Sequence, residues 1–154
     1  NYKISKLWRD AQQFLSTGIC FGLPGVLKAQ GNTLLLPSGL YLKYDDLQYI
    51  QGEKGLEFTY KVRRGRNRIY GGKIIENVCQ AIARCIIGEQ MLKIAKRYRV
   101  VLTVHDSIVC CVEDSESEKA QKFIEESMRW TPDWAKGLPI DCESGIGKSY
   151  GGCE

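Results

Sequence analysis

The stretch that decides the fold is Val101-Leu-Thr-Val-His-Asp-Ser-Ile-Val109, in which β-branched runs flank His105 and Asp106. Such runs predict two strands joined by a tight turn, over residues 100–104 and 108–112. The turn would lift the carboxylate of Asp106 out of a hydrophobic hairpin, in the way that a metal ligand is presented to a phosphate. The single histidine of the chain lies beside this carboxylate.

The longest helical pattern lies upstream, over residues 74–98. Large aliphatic side chains recur along one stripe at helical spacing, at Ile75, Val78, Ile82 and Ile86. A second stripe runs beside it, so the pattern indicates a helix that is packed over much of its surface. The few polar positions of this helix are therefore the candidates for function.

Local patterns predict the remaining elements. Apolar spacing over residues 4–15 predicts a helix that ends near Gly18, and residues 33–44 predict a hairpin with Pro37-Ser38-Gly39 in its turn. Residues 57–62 predict a strand, followed by a basic loop. A capping box at residues 115–118 should start a last helix, which buries Ala120, Phe123, Ile124 and Met128. The mixture predicts an α+β fold, with an antiparallel sheet that carries the His-Asp hairpin against the long helix.

Length and composition limit the number of domains and the classes of protein to which this chain can belong. A chain of 154 residues with 44% hydrophobic residues predicts one globular domain with a core of its own. No apolar run reaches the roughly 20 residues that span a bilayer, so we expect no membrane association. The seven cysteines include no C-x-x-C motif, and one histidine supplies little of a zinc site. We interpret the cysteines as reduced thiols of a cytoplasmic protein.

The net charge of +4 is unevenly distributed. Residues 61–68 hold five cations, at Lys61, Arg63, Arg64, Arg66 and Arg68. A run of this kind suits a phosphate backbone. A solvated loop explains it equally well.

A longer combination of motifs carries a family resemblance. The helix Tyr70-Gly-Gly-Lys-Ile-Ile-Glu-Asn-Val-Cys-Gln-Ala-Ile-Ala-Arg84 precedes the His-Asp hairpin, and Leu36-Pro-Ser-Gly39 and Trp134-Ala-Lys-Gly-Leu-Pro-Ile-Asp-Cys-Glu143 flank the pair. Together these segments resemble the C-terminal palm of family A DNA polymerases, most closely the phage and prophage branch. The resemblance implies a palm-type sheet. It divides the chain into a fingers-side helix and loop (1–30), a hairpin and basic loop (31–69), and the palm core and tail (70–154).

The resemblance also implies an activity, which is DNA-directed nucleotidyl transfer to a primer 3′-hydroxyl during replication, in a bacterial or phage-infected cytoplasm. By position, Asp106 would bind catalytic Mg²⁺ in a two-metal site, and His105 would lie near the primer terminus. A structural histidine that bonds a backbone carbonyl is the alternative for His105. Primer–template DNA and deoxynucleoside triphosphates would be the partners.

Further positions would contact DNA. Gln80 matches a glutamine that reads minor-groove acceptors, although a solvent-facing helix residue is the alternative. Asn77 lies one residue out of the usual register, where Glu76 falls instead. Lys73 would approach the primer strand, and Arg84 either reaches a phosphate or pairs with an acid in the hairpin. The arginines of the basic run, Arg63, Arg64, Arg66 and Arg68, would follow the backbone.

Departures from the family pattern leave other functions open. Ser107 stands where these polymerases usually carry Glu, and Cys85 stands where Asp is common. A serine after His-Asp also resembles single-subunit RNA polymerases. The alternatives are a noncatalytic nucleic-acid-binding module on a palm scaffold and one subunit of a split polymerase.

The family's first metal-binding Asp and its nucleotide-binding fingers helix are not found in the chain, which does not begin with Met. We therefore expect a piece of a longer protein that supplies one protein ligand to the metals. It should be inactive alone and should need the missing polymerase segments in cis or in trans.

Overall fold

A computed structural model describes residues 2–21, 25–52 and 55–153. They form two compact units, Asn1–Ile82 (unit 1) and Ala83–Glu154 (unit 2), each of which is described by itself. The described α-helices are α1 (Tyr2–Thr17), α2 (Gly71–Ala95) and α3 (Ser117–Arg129). The boundary between the units lies within α2, so the start of this helix belongs to unit 1 and its end belongs to unit 2.

Three antiparallel sheets account for the described strands. The first contains β1 (Lys28–Gln30), β2 (Thr33–Leu35) and β3 (Tyr41–Lys43), and the second contains β4 (Gln48–Gly52), β5 (Gly55–Val62) and β6 (Gly65–Ile69). The third is the hairpin of β7 (Arg99–Val104) and β8 (Ser107–Cys111). The predicted α+β class is confirmed.

Helix α1, the first sheet, the end of β6 and the start of α2 build the core of unit 1. The helix ends as predicted at Gly18, whose φ of +68° allows its N–H to bond the carbonyl of Phe14 at 2.9 Å. Phe14 contacts the ring of Tyr44, and Tyr44 meets Tyr60 edge-on at 5.3 Å between ring centroids. The buried apolar residues here are Ala11, Phe14, Leu15, Phe21, Leu27, Leu34, Leu36, Tyr44, Ile69, Ile74 and Val78.

The hairpin predicted over residues 33–44 is confirmed as β2 and β3, with Gly39 at a φ of +82° in the turn. Its neighbour β1 was not predicted. The turn-rich segment that follows α1 lies partly outside the described residues, at positions 22–24.

The prediction of a basic loop after residue 62 is wrong. Strands β5 and β6 form a hairpin in which Val62 pairs with Gly65, and Arg63 and Arg64 make the two-residue turn. Gly65 follows that turn at a φ of +94°, a conformation that glycine adopts without steric cost. The sequence of β6 did not predict a strand because one face of this sheet is solvent-exposed. That face carries charged residues where a buried strand would carry apolar ones.

In unit 2, the end of α2, the β7–β8 hairpin and α3 share one core. Ile94, Tyr98 and Ala120 are buried at its centre. The hairpin adds Val100, Ile108, Cys110 and Val112, and α3 adds Phe123, Ile124 and Met128. The apolar face predicted for the last helix is therefore confirmed.

The predicted capping box is wrong. Helix α3 begins at Ser117 after a short 3-10 helix, Asp114–Glu116, and its N-cap residue Glu116 makes no side-chain capping bond. The hydroxyl of Ser117 instead donates to the carbonyl of Asp114 at 2.8 Å. The preceding 3-10 turn moves the helix start past the position that the motif predicted.

Gln90 joins α2 to the end of α3. Its side chain is fully buried, and its amide nitrogen donates to the carbonyls of Met128 at 2.6 Å and Trp130 at 2.9 Å. One residue earlier, Glu89 accepts a bond from the indole of Trp134 at 2.8 Å. In the described part of the chain, no helix is both long enough and apolar enough to cross a bilayer.

Candidate nucleic-acid interface

The His-Asp turn is the tightest connection in unit 2. Val104 pairs with Ser107, so His105 and Asp106 make up the whole loop, and both are exposed. His105 has a φ of +53°, in the left-handed region that most side chains avoid. The hydroxyl of Ser107 donates to the carbonyl of Val104 at 2.7 Å, so the serine closes the turn.

Asp106 has no hydrogen-bond or ion-pair partner among the described residues. The carboxylate of Asp106 is therefore exposed at the turn and forms no hydrogen bond or ion pair with another described side chain of its unit. A carboxylate in this state can take up a cation without first breaking an ion pair.

The hairpin carrying this turn is apolar on both faces. One face packs on the core of unit 2 through Val100, Ile108 and Cys110. Val101 is left out of the strand pairing as a bulge, and Leu102 pairs with Val109 on the other face. Val101 and Leu102 are 49% and 45% exposed.

The carboxylates of the described residues do not by themselves form a magnesium site. Nowhere in residues 2–21, 25–52 and 55–153 do three histidine, cysteine or acidic side chains gather closely enough to hold a metal ion. At Cys85, where the family commonly has Asp, the side chain is 8% exposed and belongs to the buried set. An ionised carboxylate at that position would lose most of its hydration. Asp106 could therefore contribute one ligand, and the others would have to come from elsewhere.

The first part of α2 brings Lys73, Glu76 and Gln80 together in unit 1. The ammonium of Lys73 lies 2.7 Å from Glu76, and the amide of Gln80 donates to the same carboxylate at 3.5 Å. The bond to Glu76 raises the pKa of Lys73. Lys73 and Gln80 are thus positioned through one acid, which is the residue that occupies the expected register of Asn77.

Asn77 faces the core of unit 1. Its amide nitrogen donates to the hydroxyl of Tyr44 at 3.2 Å. Burial raises the pKa of Tyr44, and the bond from Asn77 opposes that effect. Tyr44 follows the Leu36-Pro-Ser-Gly39 segment of the family resemblance, but no local pattern indicates its hydrogen-bond partner 33 positions away.

The four arginines of the basic run differ in their contacts. Arg66 donates to the hydroxyl of Thr59 at 2.9 Å and to the carboxylate of Asp46 at 2.6 Å, and it also bonds both of their backbone carbonyls. Arg68 pairs with Glu57 at 2.9 Å. Arg63 and Arg64 are exposed at the turn and have no partner in the described structure.

Arg84, in unit 2, is exposed on α2. None of the described acids pairs with it, so the alternative of an ion pair to the hairpin is not formed. Among the described residues, Arg63, Arg64 and Arg84 therefore have guanidinium groups without partners, whereas Arg66 and Arg68 already neutralise carboxylates of their own unit.

Sequence comparison agrees with a polymerase relationship. The chain is similar to the DNA polymerase of Bacillus phage SP02, with 30% identity over 167 aligned positions that include 97% of this chain. Those positions make up 25% of the phage polymerase, so the chain spans about a quarter of that relative's length. No family model matches the chain. No solved structure matches it either. The chain is therefore related to one part of a phage DNA polymerase.

Proposed function

We propose that this chain is the C-terminal palm portion of a family A DNA-directed DNA polymerase of the phage branch. The observation that carries the proposal is the similarity to a phage DNA polymerase along 97% of the chain. In the complete enzyme, deoxynucleoside triphosphates would be added to a primer 3′-hydroxyl in a bacterial or phage-infected cytoplasm. The exposed, unpartnered carboxylate of Asp106 supports this function.

Asp106 would supply one ligand to catalytic Mg²⁺. Magnesium is commonly held by one or two carboxylates together with substrate phosphates and water, so a single carboxylate from this chain is compatible with such a site. When bound, the ions would activate the attacking hydroxyl and stabilise the leaving pyrophosphate. His105 lies next to this carboxylate, where its ring would contact the primer end.

Other segments of the polymerase would complete the site, in cis or in trans. A two-stranded hairpin is marginal on its own, and the exposed Val101 and Leu102 leave apolar surface for another segment to cover. The chain alone should therefore bind DNA without extending a primer. Steady primer extension by the purified chain would contradict this part of the proposal.

DNA would contact cations and amides in both units. Lys73 and Gln80 would approach the primer–template duplex from α2, with Asn77 held further inside by Tyr44. Arg63, Arg64 and Arg84 have guanidinium groups free for phosphates. Arg66 and Arg68 would add to the positive potential of the sheet while they remain paired to acids.

The test is primer–template binding with and without Mg²⁺, for the chain and for Asp106→Asn. We expect Mg²⁺ to strengthen binding by the unmodified chain and to have no effect on the variant. Glu113→Gln is the matched control, because Glu113 is an exposed acid without a described partner at the open end of the same hairpin. An equal response to Mg²⁺ in all three proteins would overturn the role of Asp106.

A noncatalytic nucleic-acid-binding module is the second candidate. One observation favours it, namely that the hydroxyl of Ser107 bonds the carbonyl of Val104 and closes the turn, at the position where these polymerases usually carry Glu. This function predicts binding that falls with salt and ignores both Mg²⁺ and Asp106. The same titration therefore separates the two functions.

A further inference from the structure

An open cavity in unit 1 lies where α1 meets the start of α2. It has a volume of about 420 Å³ and is lined by Ser5, Trp8, Arg9, Gln12, Tyr70, Gly71 and Gly72. Two aromatic side chains border it, and both are largely solvent-accessible, Trp8 at 56% and Tyr70 at 51%. A volume of this order is within the range that small planar ligands occupy.

The first backbone N–H group of α2 is not available to bind an anion. The N–H of Gly71 already donates to the side-chain oxygen of Gln12 at 2.7 Å. A Cβ at Gly71 would lie 2.5 Å from the main-chain oxygen of Trp8, so the glycine is explained by close packing of the two helices. The aromatic rings, and not the helix terminus, are therefore the groups that a ligand would meet.

Two neighbours border the ring of Tyr70. The guanidinium of Arg68 lies 5.9 Å from the centre of the ring. A Cβ at Gly72 would approach the ring to 3.2 Å, so the glycine leaves room for it. Tyr70 is nevertheless 51% exposed, so part of the ring remains open to a ligand.

One cation lines the cavity itself. Arg9 borders it and is exposed, with no ion-pair partner in the described part of the chain. Arg66 and Arg68 of β6 are already paired with carboxylates, so Arg9 is the cation available to a phosphate here. A free cation beside exposed aromatic rings is an arrangement that binds single-stranded nucleic acid, in which cations contact phosphates and rings stack on bases.

We propose that the Trp8–Tyr70 cavity is a stacking site for an unpaired base of single-stranded DNA, whose neighbouring phosphate contacts Arg9. This inference rests on the proposed function only in that the chain binds DNA. It needs neither Mg²⁺ nor Asp106.

The experiment is fluorescence anisotropy with the full chain and a labelled oligodeoxythymidine of about 12 nucleotides, a length within the usual site size. Replacing Tyr70 or Trp8 by Ala should weaken binding roughly 5- to 150-fold, since one stacked base contributes that much. Tyr41→Ala is the matched control, because Tyr41 is 49% exposed in the same unit and lies near a cation, Lys43, at 5.7 Å. The control should bind like the unmodified chain.

An abasic strand of the same length provides the decisive comparison. It keeps the phosphates and lacks the bases, so the unmodified chain should bind it about as weakly as Tyr70→Ala binds the thymidine strand. Trp8→Phe should also remove the quenching of tryptophan fluorescence that the thymidine strand causes. Equal binding of abasic and thymidine strands, or equal losses in Tyr70→Ala and Tyr41→Ala, would overturn the proposal.

Failure of this inference and failure of the proposed function give different results. If the variants and the abasic strand behave like their controls while Asp106→Asn still abolishes the Mg²⁺ effect, the stacking site is refuted and the polymerase function stands. If Mg²⁺ and Asp106 have no effect while Tyr70→Ala weakens strand binding, the stacking site stands on a nucleic-acid-binding module.

Discussion

The hairpins β5–β6 and β7–β8 both carry charges at their turns that have no partner in the described structure, but charge stabilises the strands of only one of them. In β5–β6, Arg66 and Arg68 are bound to carboxylates of the same unit, and the ion pairs lie on the solvent-exposed face of the sheet. In β7–β8, the core holds the strands, and the acid at the turn has no partner in the described structure. The comparison indicates that a charged residue is a better candidate for ligand binding when its charged group has no partner within the protein.

Removing the side chain that joins α2 to the end of α3 should have the largest effect. Gln90→Ala leaves the carbonyls of Met128 and Trp130 without their donor and opens a cavity, although it also removes a buried amide oxygen that has no partner. We expect a loss of about 2–3 kcal/mol in the free energy of unfolding. Chemical denaturation measures it. Gln80→Ala is the control, because Gln80 is exposed on the same helix, and an equal loss there would contradict the anchoring role.

The paired and free arginines of β5–β6 should separate stability from binding. Arg66→Ala removes two bonds to Thr59, and we expect a loss of about 1–2 kcal/mol in the free energy of unfolding. Arg64→Ala should leave stability within about 0.5 kcal/mol and reduce the salt dependence of DNA binding by about one unit of slope. Denaturation and salt titration of both variants test the comparison. The reverse assignment of effects would refute it.

The turn of β7–β8 should show backbone strain at His105. Glycine adopts a positive φ without steric cost, whereas alanine does not, so His105→Gly should be more stable than His105→Ala by about 1 kcal/mol. Thermal unfolding of the two variants measures the difference. Equal midpoints would show that the turn relaxes when the imidazole is removed.

The smallest expected effect is the pH dependence of the Asp46–Arg66 pair. The bonds from Arg66 hold the pKa of Asp46 below its ordinary value of 3.8. Because the folded-state pKa is lowered, the stabilisation is present above pH 3.8 and is lost as the pH falls through the lowered pKa. The melting temperature of the unmodified chain should therefore fall more steeply below this pH than that of Asp46→Asn. Parallel curves would contradict the coupling.

Sequence patterns predicted most of the fold where the signal is local. Alternation of apolar residues identified β2, β3, β5 and both strands of the His-Asp hairpin, and helical spacing identified the three helices. They missed β6 because its outward positions are arginines, and they missed β1 and β4 because short, exposed strands have little apolar content. The start of α3 was misplaced because a 3-10 turn intervenes.

The sequence by itself determined the α+β class, a tight turn that contains His105 and Asp106, and the motifs on which the polymerase resemblance depends. Each of these is encoded by residues close together in the chain. Only the tertiary structure decided which charges have partners among the described residues and which exposed rings border a cavity. Arg66 meets Asp46 across 20 positions, and Gly71 meets Gln12 across 59. Such pairings arise when the folded backbone brings distant residues together, and no local pattern of residue types records them.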